Sequence, residues 1–293
     1  YILTDTEPPT PLEEAYQQAI RSITEVFAEA VLEQDPDQAE AEAAAKLLVS
    51  MAGRPSVMSQ IRSLYIRGNY LFKHSVNVAF LSVTLGKWLK LPDDELIDLG
   101  TAALLHDIGM ASIPDYILDS PRALTSEERE LLAIHPQKGA ALLTSFSPLI
   151  QAAIVQHHER MDGSGYPTGI SDAQICNFAR IISIADVYES LTSERVYRAK
   201  KTPYEAIVII RSLCFNQLDP TSGVHFCNML LNSFVGDQVL LDNGKTGEVI
   251  WVDTTDPTHL LIRTRDEVII DTRQPASPQV KEVLTAIQST LYE

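Results

Sequence analysis

The sequence predicts a mainly α-helical protein that carries a small β module at its C-terminal end. Apolar residues recur at helical spacing from residue 11 to about residue 232, and helix-start signals precede these stretches. After residue 233 apolar and polar residues alternate, and Val and Ile are frequent. We therefore expect a helical N-terminal domain at 1–64, a helical bundle at 65–232, and a β-barrel-like module with a terminal helix at 233–293.

The N-terminal unit is predicted to contain three helices. Apolar residues such as Ile20 and Phe27 recur at helical spacing within 11–33, DPDQ (35–38) interrupts the pattern, and an alanine-rich stretch opens a second helix. A third helix is expected at about 56–64. The alternation of strands and helices typical of a phospho-receiver domain is missing, so we interpret this regulatory unit as a packing or dimerisation element that would make a homodimer.

Helix-start signals subdivide the central bundle. Ser126 is expected as an N-cap with Arg129 at the third helical position, which gives only part of a capping box. Ser147 is expected as the cap of a further helix, because Pro148 follows it at the first helical position. The stretch FARIISIADVYESLTS (178–193) is apolar enough to be the innermost helix of the bundle.

The C-terminal module is predicted to contain three to five short strands. Asn243-Gly244 is a strong signal for a type I′ hairpin, and Asp256-Pro257 marks a further turn. We expect a small barrel with a structural or oligomerising role, followed by a short helix from about residue 278.

Composition excludes several classes of function. The formal net charge of −16 argues against a basic face that binds a nucleic-acid polymer. No apolar run reaches the roughly 18 residues that a membrane span needs. The three cysteines form no CxxC pair, which favours a reducing, cytoplasmic location. The chain opens on Tyr1 instead of Met, so we expect further sequence upstream.

The histidines form the most informative pattern. We interpret His225 and His259 as incidental, whereas the other five of the seven histidines fall within 85 residues of the helical region. They are His74, His106, His135, His157 and His158. Asp107 follows one of these histidines directly, and Asp186 lies in the most apolar helix, where an aspartate requires a partner or a metal.

Imidazoles and carboxylates held on helices favour borderline cations such as iron, manganese or zinc. Two carboxylates neutralise only half the charge of two divalent ions, which leaves a net charge of about +2 in an otherwise acidic molecule. That local reversal would attract a phosphate, and two such metals activate a bridging hydroxide for in-line attack on phosphorus.

Five blocks of this region, in order, resemble the HD-GYP family of metal-dependent phosphodiesterases. They are HSVNV, LLHDIG, IHPQKGAALL, HHERMDGSGYPTG and IADVYESLTSERVYR, and the resemblance covers about 70–232. It implies an HD-type helical bundle, two or three divalent metal ions, with iron before manganese, and hydrolysis of cyclic di-GMP to pGpG or GMP. GGDEF-type cyclases are partners that the resemblance suggests.

The resemblance also implies roles for single residues. One metal would be held by His74, His106, Asp107 and Asp186. Asp107 would bridge to a second metal, and with His106 it is the expected catalytic residue. The other ligands of the second metal would be His135, His157 and His158. The expected substrate contacts are Gly165, Tyr166, Arg195 and Arg198.

Two positions depart from the family pattern. Met110 stands where the family has a Lys, and Met cannot donate a hydrogen bond. Tyr70 stands where some members have a Glu that binds a third metal, so a two-metal centre is expected. These departures leave two alternatives to an active enzyme: a cyclic di-GMP-binding sensor or adaptor of low or no activity, and an HD-type phosphohydrolase that acts on another nucleotide.

Overall fold

The computed structural model describes residues 10–32, 36–52, 70–118, 120, 122–193, 201–256 and 258–284. Within these ranges the protein is mainly helical and carries a small antiparallel sheet near its C-terminal end, which confirms the predicted fold class. No helix within the described ranges has both the length and the apolarity that a membrane crossing requires.

The first two predicted helices are present as α1 (Pro11–Val31) and α2 (Gln38–Met51). Thr10 caps α1 in a full capping box, and the Asp37 side chain accepts hydrogen bonds from the first turn of α2. Both helices bury one face in the same hydrophobic core as the central bundle. The expected helix at about 56–64 lies outside the described residues.

The central bundle follows in chain order. Its helices are α3 (Tyr70–Trp88), α4 (Asp93–Leu105), a 3₁₀ helix (Ile108–Ser112), α5 (Asp115–Leu118), α6 (Ser126–Ala133), α7 (His135–Leu142), α8 (Pro148–Gln156), a second 3₁₀ helix (Asp172–Gln174), α9 (Asn177–Thr192), α10 (Pro203–Leu213) and α11 (Pro220–Asn232). As predicted, α9 is the innermost helix, because it buries most of its length against α3, α8, α10 and α11.

The cap of α6 differs from the prediction by one residue. Thr125 is the N-cap and Glu128 is the third helical residue, and together they form a complete capping box, whereas Ser126 is already inside the helix. The Glu128 carboxylate accepts hydrogen bonds from both the Thr125 amide and Arg122, which explains why the helix begins there. The predicted cap of α8 is confirmed, since Ser147 accepts a hydrogen bond from the amide of Ile150.

The C-terminal module is a five-stranded antiparallel sheet with the order β4-β3-β2-β1-β5. Its strands are β1 (Gln238–Leu241), β2 (Thr246–Val252), β3 (Leu260–Thr264), β4 (Ile269–Asp271) and β5 (Val280–Val283). In the described residues β4 and β5 are the two edges, so the module is an open sheet where a small barrel was expected.

The β1–β2 hairpin is confirmed, but its turn is not of type I′. That turn requires a positive φ at both central residues, and here only Gly244 has one, at 83°. The loop from Asp242 to Lys245 is longer than a two-residue turn, and the Asn243 side chain accepts a hydrogen bond from the Lys245 amide at 3.0 Å.

The expected helix from about residue 278 is wrong where the structure describes it. Val280–Val283 forms β5 and pairs with β1, with Val239 opposite Val283. The Leu284 amide continues the pairing by donating to the Gln238 carbonyl at 2.8 Å. This pairing joins segments about 40 residues apart, so local helical spacing does not reveal it.

Candidate metal centre

The structure brings all seven predicted metal ligands into one buried cluster. His74 comes from the second turn of α3 and Asp186 from α9, and the other five residues lie at helix ends. These are His106 and Asp107 after α4, His135 at the start of α7, and His157 and His158 after α8. The cluster is largely sealed from solvent, since only His158 is more than slightly exposed.

Asp107 lies at the middle of the cluster. Its Oδ1 atom is 3.2 Å from Nε2 of His135 and 3.8 Å from Nε2 of His157. Its Oδ2 atom is 3.4 Å from Nε2 of His106 and 3.6 Å from Nε2 of His74. Each carboxylate oxygen therefore faces a separate pair of imidazoles.

Asp186 lies between His74 and the fifth imidazole, His158. Its Oδ1 atom is 3.3 Å from Nε2 of His74, and its Oδ2 atom is 3.8 Å from Nδ1 of His158. The Ser190 hydroxyl, one turn further along α9, donates to Oδ1 at 3.2 Å and fixes the carboxylate. The atoms that can bind a metal lie within 4.8 Å of one another in each of two sets, which share Asp107.

Helix ends determine the direction of three imidazole rings. Nδ1 of His106, His135 and His157 lies 2.8, 2.8 and 2.7 Å from the carbonyl oxygen three residues earlier. The last carbonyls of a helix have no partner within the helix, so they are free to accept these hydrogen bonds. Because a carbonyl only accepts, each Nδ1 carries the proton, and in the neutral ring each Nε2 presents a lone pair to the cluster.

The fourth ring, His74, has no such carbonyl because it lies inside a continuous helix. Its Nδ1 instead hydrogen-bonds to Oε2 of Glu189, a buried carboxylate on α9. Oε1 of Glu189 accepts hydrogen bonds from Asn77 at 3.2 Å and from Ser193 at 2.5 Å. Sequence reasoning missed Glu189, and its only signal is a position three residues after Asp186, one turn along the same helix.

In two pairs of rings, the Nε2 atoms face each other, and in neutral rings both of these atoms are hydrogen-bond acceptors. Nε2 of His74 lies 3.3 Å from Nε2 of His106, and Nε2 of His135 lies 3.4 Å from Nε2 of His157. With both Nδ1 atoms of each pair engaged elsewhere, neutral rings would point lone pairs at each other and at carboxylate oxygens. Such an arrangement is stable only with positive charge between the groups, so the donor set fits divalent cations.

The charges of the cluster agree with this geometry. Burial would raise the pKa of the Asp107 carboxyl, but the His106 and His135 imidazoles hold it well below its usual range. Burial would lower the pKa of His74, but the carboxylates of Glu189 and Asp186 raise it to about 10. Burial lowers the pKa of His158 to about 3, so this ring is neutral near pH 7.

Two glycines allow the segments that carry the ligands to approach closely. A Cβ atom on Gly109 would lie 1.9 Å from the carbonyl oxygen of His135, and one on Gly139 would lie 3.1 Å from the amide of Gly109. The turn after Asp107 therefore packs directly on the backbone of α7. This contact places the central carboxylate beside the ring of His135.

The GSGYP segment folds back on the adjacent histidines. The Tyr166 ring packs on the His158 ring with centroids 4.6 Å apart and an interplanar angle of 31°. A Cβ atom on Gly165 would lie 2.4 Å from the His158 carbonyl oxygen, so the close approach that requires this glycine is to the chain itself. Gly163 has a φ of 76°, which also requires glycine.

Three further residues were singled out from the sequence: Arg195, Arg198 and Met110. Arg195 and Arg198 lie outside the described residues, so their predicted contact with substrate stays a prediction. Met110 lies half-buried in the first 3₁₀ helix, where its amide donates to the Asp107 carbonyl at 2.8 Å.

Comparison with known protein families agrees with this geometry. The model of the HD domain family matches residues 56–222, which is more than half of the 293 residues. The chain belongs to the HD domain family. The match contains every one of the seven clustered residues, and the resemblance to HD-GYP proteins drawn from the five blocks is confirmed.

Two curated relatives of this HD domain chain are named as phosphodiesterases. The chain is 32% identical over 265 residues to cyclic di-GMP phosphodiesterase PA4108 of Pseudomonas aeruginosa, covering 83% of this chain and 62% of that protein. It is 35% identical over 153 residues to 3'3'-cGAMP-specific phosphodiesterase 3 of Vibrio cholerae, covering 52% of this chain and 33% of that protein. The chain thus spans less than two thirds of the length of either relative.

A solved structure shares the fold of this HD domain chain. Bd1817, an HDG"Y"P protein from Bdellovibrio bacteriovorus, superposes with a TM-score of 0.60 and is 22% identical. The superposition covers 77% of this chain and 74% of Bd1817. This coverage exceeds the segment from His74 to Asp186, so the likeness includes elements outside the part of the chain that carries the cluster.

Proposed function

We propose that the chain is a metal-dependent phosphodiesterase that hydrolyses cyclic di-GMP to pGpG or GMP at a two-cation centre, with iron as the first candidate metal and manganese as the second. The observation that carries the proposal is Asp107, whose two oxygens face separate pairs of imidazoles. A carboxylate shared in this way suits two cations side by side. The relatives, both named as phosphodiesterases of cyclic dinucleotides, support this reaction class.

The ligands divide into two sets around Asp107. His74, His106 and Asp186 would hold one cation, and the second would be held by His135, His157 and His158. Every ring except His158 has its Nδ1 proton committed to a carbonyl or to Glu189, so Nε2 is the ligand atom. The two overlapping sets of potential ligand atoms divide the five histidines in the same way around Asp107, and Asp186 is added to the first set by its 3.3 Å approach to His74.

When bound, two divalent cations supply positive charge to the phosphate and lower the pKa of the attacking water. The chain's own residues hold the geometry. Asp107 keeps the two sets of ligands at a fixed separation, and the Ala103 carbonyl keeps His106 in the orientation that presents Nε2. The net charge of −16 disfavours anion binding by the molecule as a whole, so positive charge at this centre would draw the substrate phosphates to it.

The proton for the leaving ribose oxygen must come from elsewhere than position 110. Met110 has no proton to donate, although it follows the central carboxylate by only three residues. Two candidates remain for the donor, a water held by a cation of the centre and a water ordered by an arginine. The phenol of Tyr166 stays protonated, since burial and the charge of Asp107 raise its pKa, and it is available to donate a hydrogen bond to the substrate.

One experiment tests the proposed reaction. Protein loaded anaerobically with Fe(II) or Mn(II) is incubated with cyclic di-GMP, and the products are separated by chromatography. We expect pGpG or GMP, lost in His106→Ala and retained in the control His225→Ala, because His225 is exposed on α11 outside the cluster. Metal uptake without any product from cyclic di-GMP contradicts the proposal.

A second candidate is a cyclic di-GMP-binding sensor or adaptor of low activity, and Met110 favours it. Tight binding of cyclic di-GMP without turnover in the same experiment supports this candidate. The similarity to a 3'3'-cGAMP-specific enzyme favours a further substrate, so 3'3'-cGAMP belongs in the assay beside cyclic di-GMP. Faster hydrolysis of 3'3'-cGAMP would identify it as the preferred substrate.

A further inference from the structure

A chain of hydrogen bonds leads from the first helix to the candidate metal centre. Tyr16 on α1 is only 4% exposed, and its hydroxyl lies 2.7 Å from Oδ1 of Asn77 on α3. Nδ2 of Asn77 lies 3.2 Å from Oε1 of Glu189, whose other oxygen hydrogen-bonds to Nδ1 of His74. The partners are 61, 112 and 115 residues apart in sequence.

The direction of every hydrogen bond in this chain is determined by its neighbours. The Glu189 carboxylate only accepts, so the Asn77 amide must turn its NH₂ group toward it. The Asn77 oxygen then faces Tyr16, and the phenol must donate. Burial and the nearby Glu189 charge raise the pKa of the Tyr16 phenol, so it remains a donor.

The packing of α1 reinforces the same connection. The Phe27 ring of α1 lies edge-on against Phe72 of α3, with centroids 5.5 Å apart and an interplanar angle of 83°. α1 also contacts the 3₁₀ helix Ile108–Ser112, which follows Asp107. The first helix therefore touches the helix that carries His74 and the 3₁₀ helix that directly follows Asp107.

We propose that Tyr16 and Asn77 are positioning residues, which hold His74 in its cation-binding orientation through Glu189, so that α1 sets the affinity of the centre for its cation. The proposal rests on the proposed function of the centre. It gives the N-terminal helices a role in the site: a displacement of α1 removes the anchor of Asn77 and lowers metal occupancy.

The physical reason is that the Glu189 carboxylate is freer to rotate when Asn77 is not held by Tyr16. Partners that orient a metal-binding histidine contribute about 10- to 100-fold to metal affinity when they contact the ligand directly. Tyr16 acts two hydrogen bonds away, and Ser193 also holds Oε1 of Glu189, so its effect is smaller. We expect Tyr16→Phe to weaken Mn(II) binding by about three- to tenfold.

Titration of the metal-free chain with Mn(II), followed by calorimetry, tests the proposal. The matched control is Tyr204→Phe, the same change at a tyrosine that is 7% exposed and stacks on Phe234 away from the centre. We expect the control to bind Mn(II) like the wild type. In a Glu189→Gln background we expect Tyr16→Phe to have no further effect, because the connection is already broken.

Two results overturn the proposal: wild-type Mn(II) affinity in Tyr16→Phe, or an undiminished effect of Tyr16→Phe in the Glu189→Gln background. Asn77→Ser removes the same connection and is measured if Tyr16→Phe does not fold. Co(II) spectra of the variants report whether the ligand geometry changes, which a loss of stability alone would not cause. A wild type that binds Mn(II) but leaves cyclic di-GMP intact refutes the proposed function, and the titration still decides the role of Tyr16.

Discussion

At the scale of single residues, the chemistry depends on which nitrogen of each imidazole faces the centre. Three rings donate a hydrogen bond from Nδ1 to a helix-end carbonyl and one donates it to Glu189, so four Nε2 atoms converge on two carboxylates. His158 differs, since its Nδ1 faces Asp186 and its ring is held by packing against Tyr166. Tyr166 therefore has two separable features, a ring that packs on His158 and a hydroxyl that we propose contacts substrate.

Substitutions at Tyr166 distinguish these roles. Tyr166→Phe keeps the ring, so we expect its Mn(II) affinity to stay within about twofold of wild type, while KM for cyclic di-GMP rises if the hydroxyl contacts substrate. Tyr166→Ala removes the support of His158 and is expected to weaken Mn(II) binding about tenfold. Calorimetric titration and steady-state kinetics measure the two effects. Equal Mn(II) affinity in both variants would show that the ring does not orient His158.

The side chain at position 110 provides a gain-of-function prediction. A charge-assisted hydrogen bond to a phosphate contributes roughly 1.5–3 kcal/mol, which corresponds to about 10- to 100-fold in rate or affinity. We expect Met110→Lys to raise kcat/KM for cyclic di-GMP by a factor in this range. Met110→Gln, which is similar in length and uncharged, is the control. An unchanged kcat/KM in Met110→Lys would show that this side chain does not reach the phosphates.

At the scale of elements, the centre depends on how closely the turn after α4 approaches α7. The two glycines, Gly109 and Gly139, lie at the contact, and a side chain on the first would overlap the backbone of His135. The backbone of a helix cannot move aside as the end of a flexible side chain can. The position of Asp107 relative to His135 is therefore set by a backbone contact.

Gly109→Ala is expected to break this contact. The added Cβ would lie 1.9 Å from the His135 carbonyl oxygen, so the turn and α7 must separate, at a cost of about 2 kcal/mol or more in the free energy of unfolding. Urea denaturation measures the loss, and Mn(II) titration measures the accompanying weakening of the centre. Gly236→Ala is the control, because nothing lies within 4 Å of its Cβ position and only its φ of 94° opposes the change. A fully stable Gly109→Ala would refute the close packing.

At the scale of the whole molecule, the sequence predicted what local patterns encode. His106, Asp107 and the HHE segment lie in contiguous motifs, and helical spacing located α9 with Asp186 on it. Glu189 was missed because its role depends on a hydrogen bond to a residue 115 positions away. β5 was missed for the same reason, since its strand exists only through pairing with β1.

Burial of the cluster without cations costs folding free energy, and bound cations would remove this cost. The clustered histidines and aspartates between residues 74 and 186 bury hydrogen-bond acceptors against one another where five helices meet, in a chain whose net charge is −16. Without cations, protons must supply the positive charge. Burial opposes a proton on His135, yet its hydrogen bond to Asp107 raises the pKa of this ring. Divalent cations supply more charge at the same place, so they are expected to stabilise the fold as well as the reaction.

Removal of metal is therefore expected to lower the melting temperature. A ligand that binds only the folded state at a hundred times its Kd stabilises it by about 2.7 kcal/mol, which for a chain of this size shifts Tm by roughly 4–5 °C. Differential scanning calorimetry with Mn(II) and then with excess chelator measures the shift. His106→Ala should melt with a much smaller difference between the two conditions, because one set of ligands is incomplete. Equal melting temperatures for the wild type in both conditions would show that the buried cluster does not bind the cation.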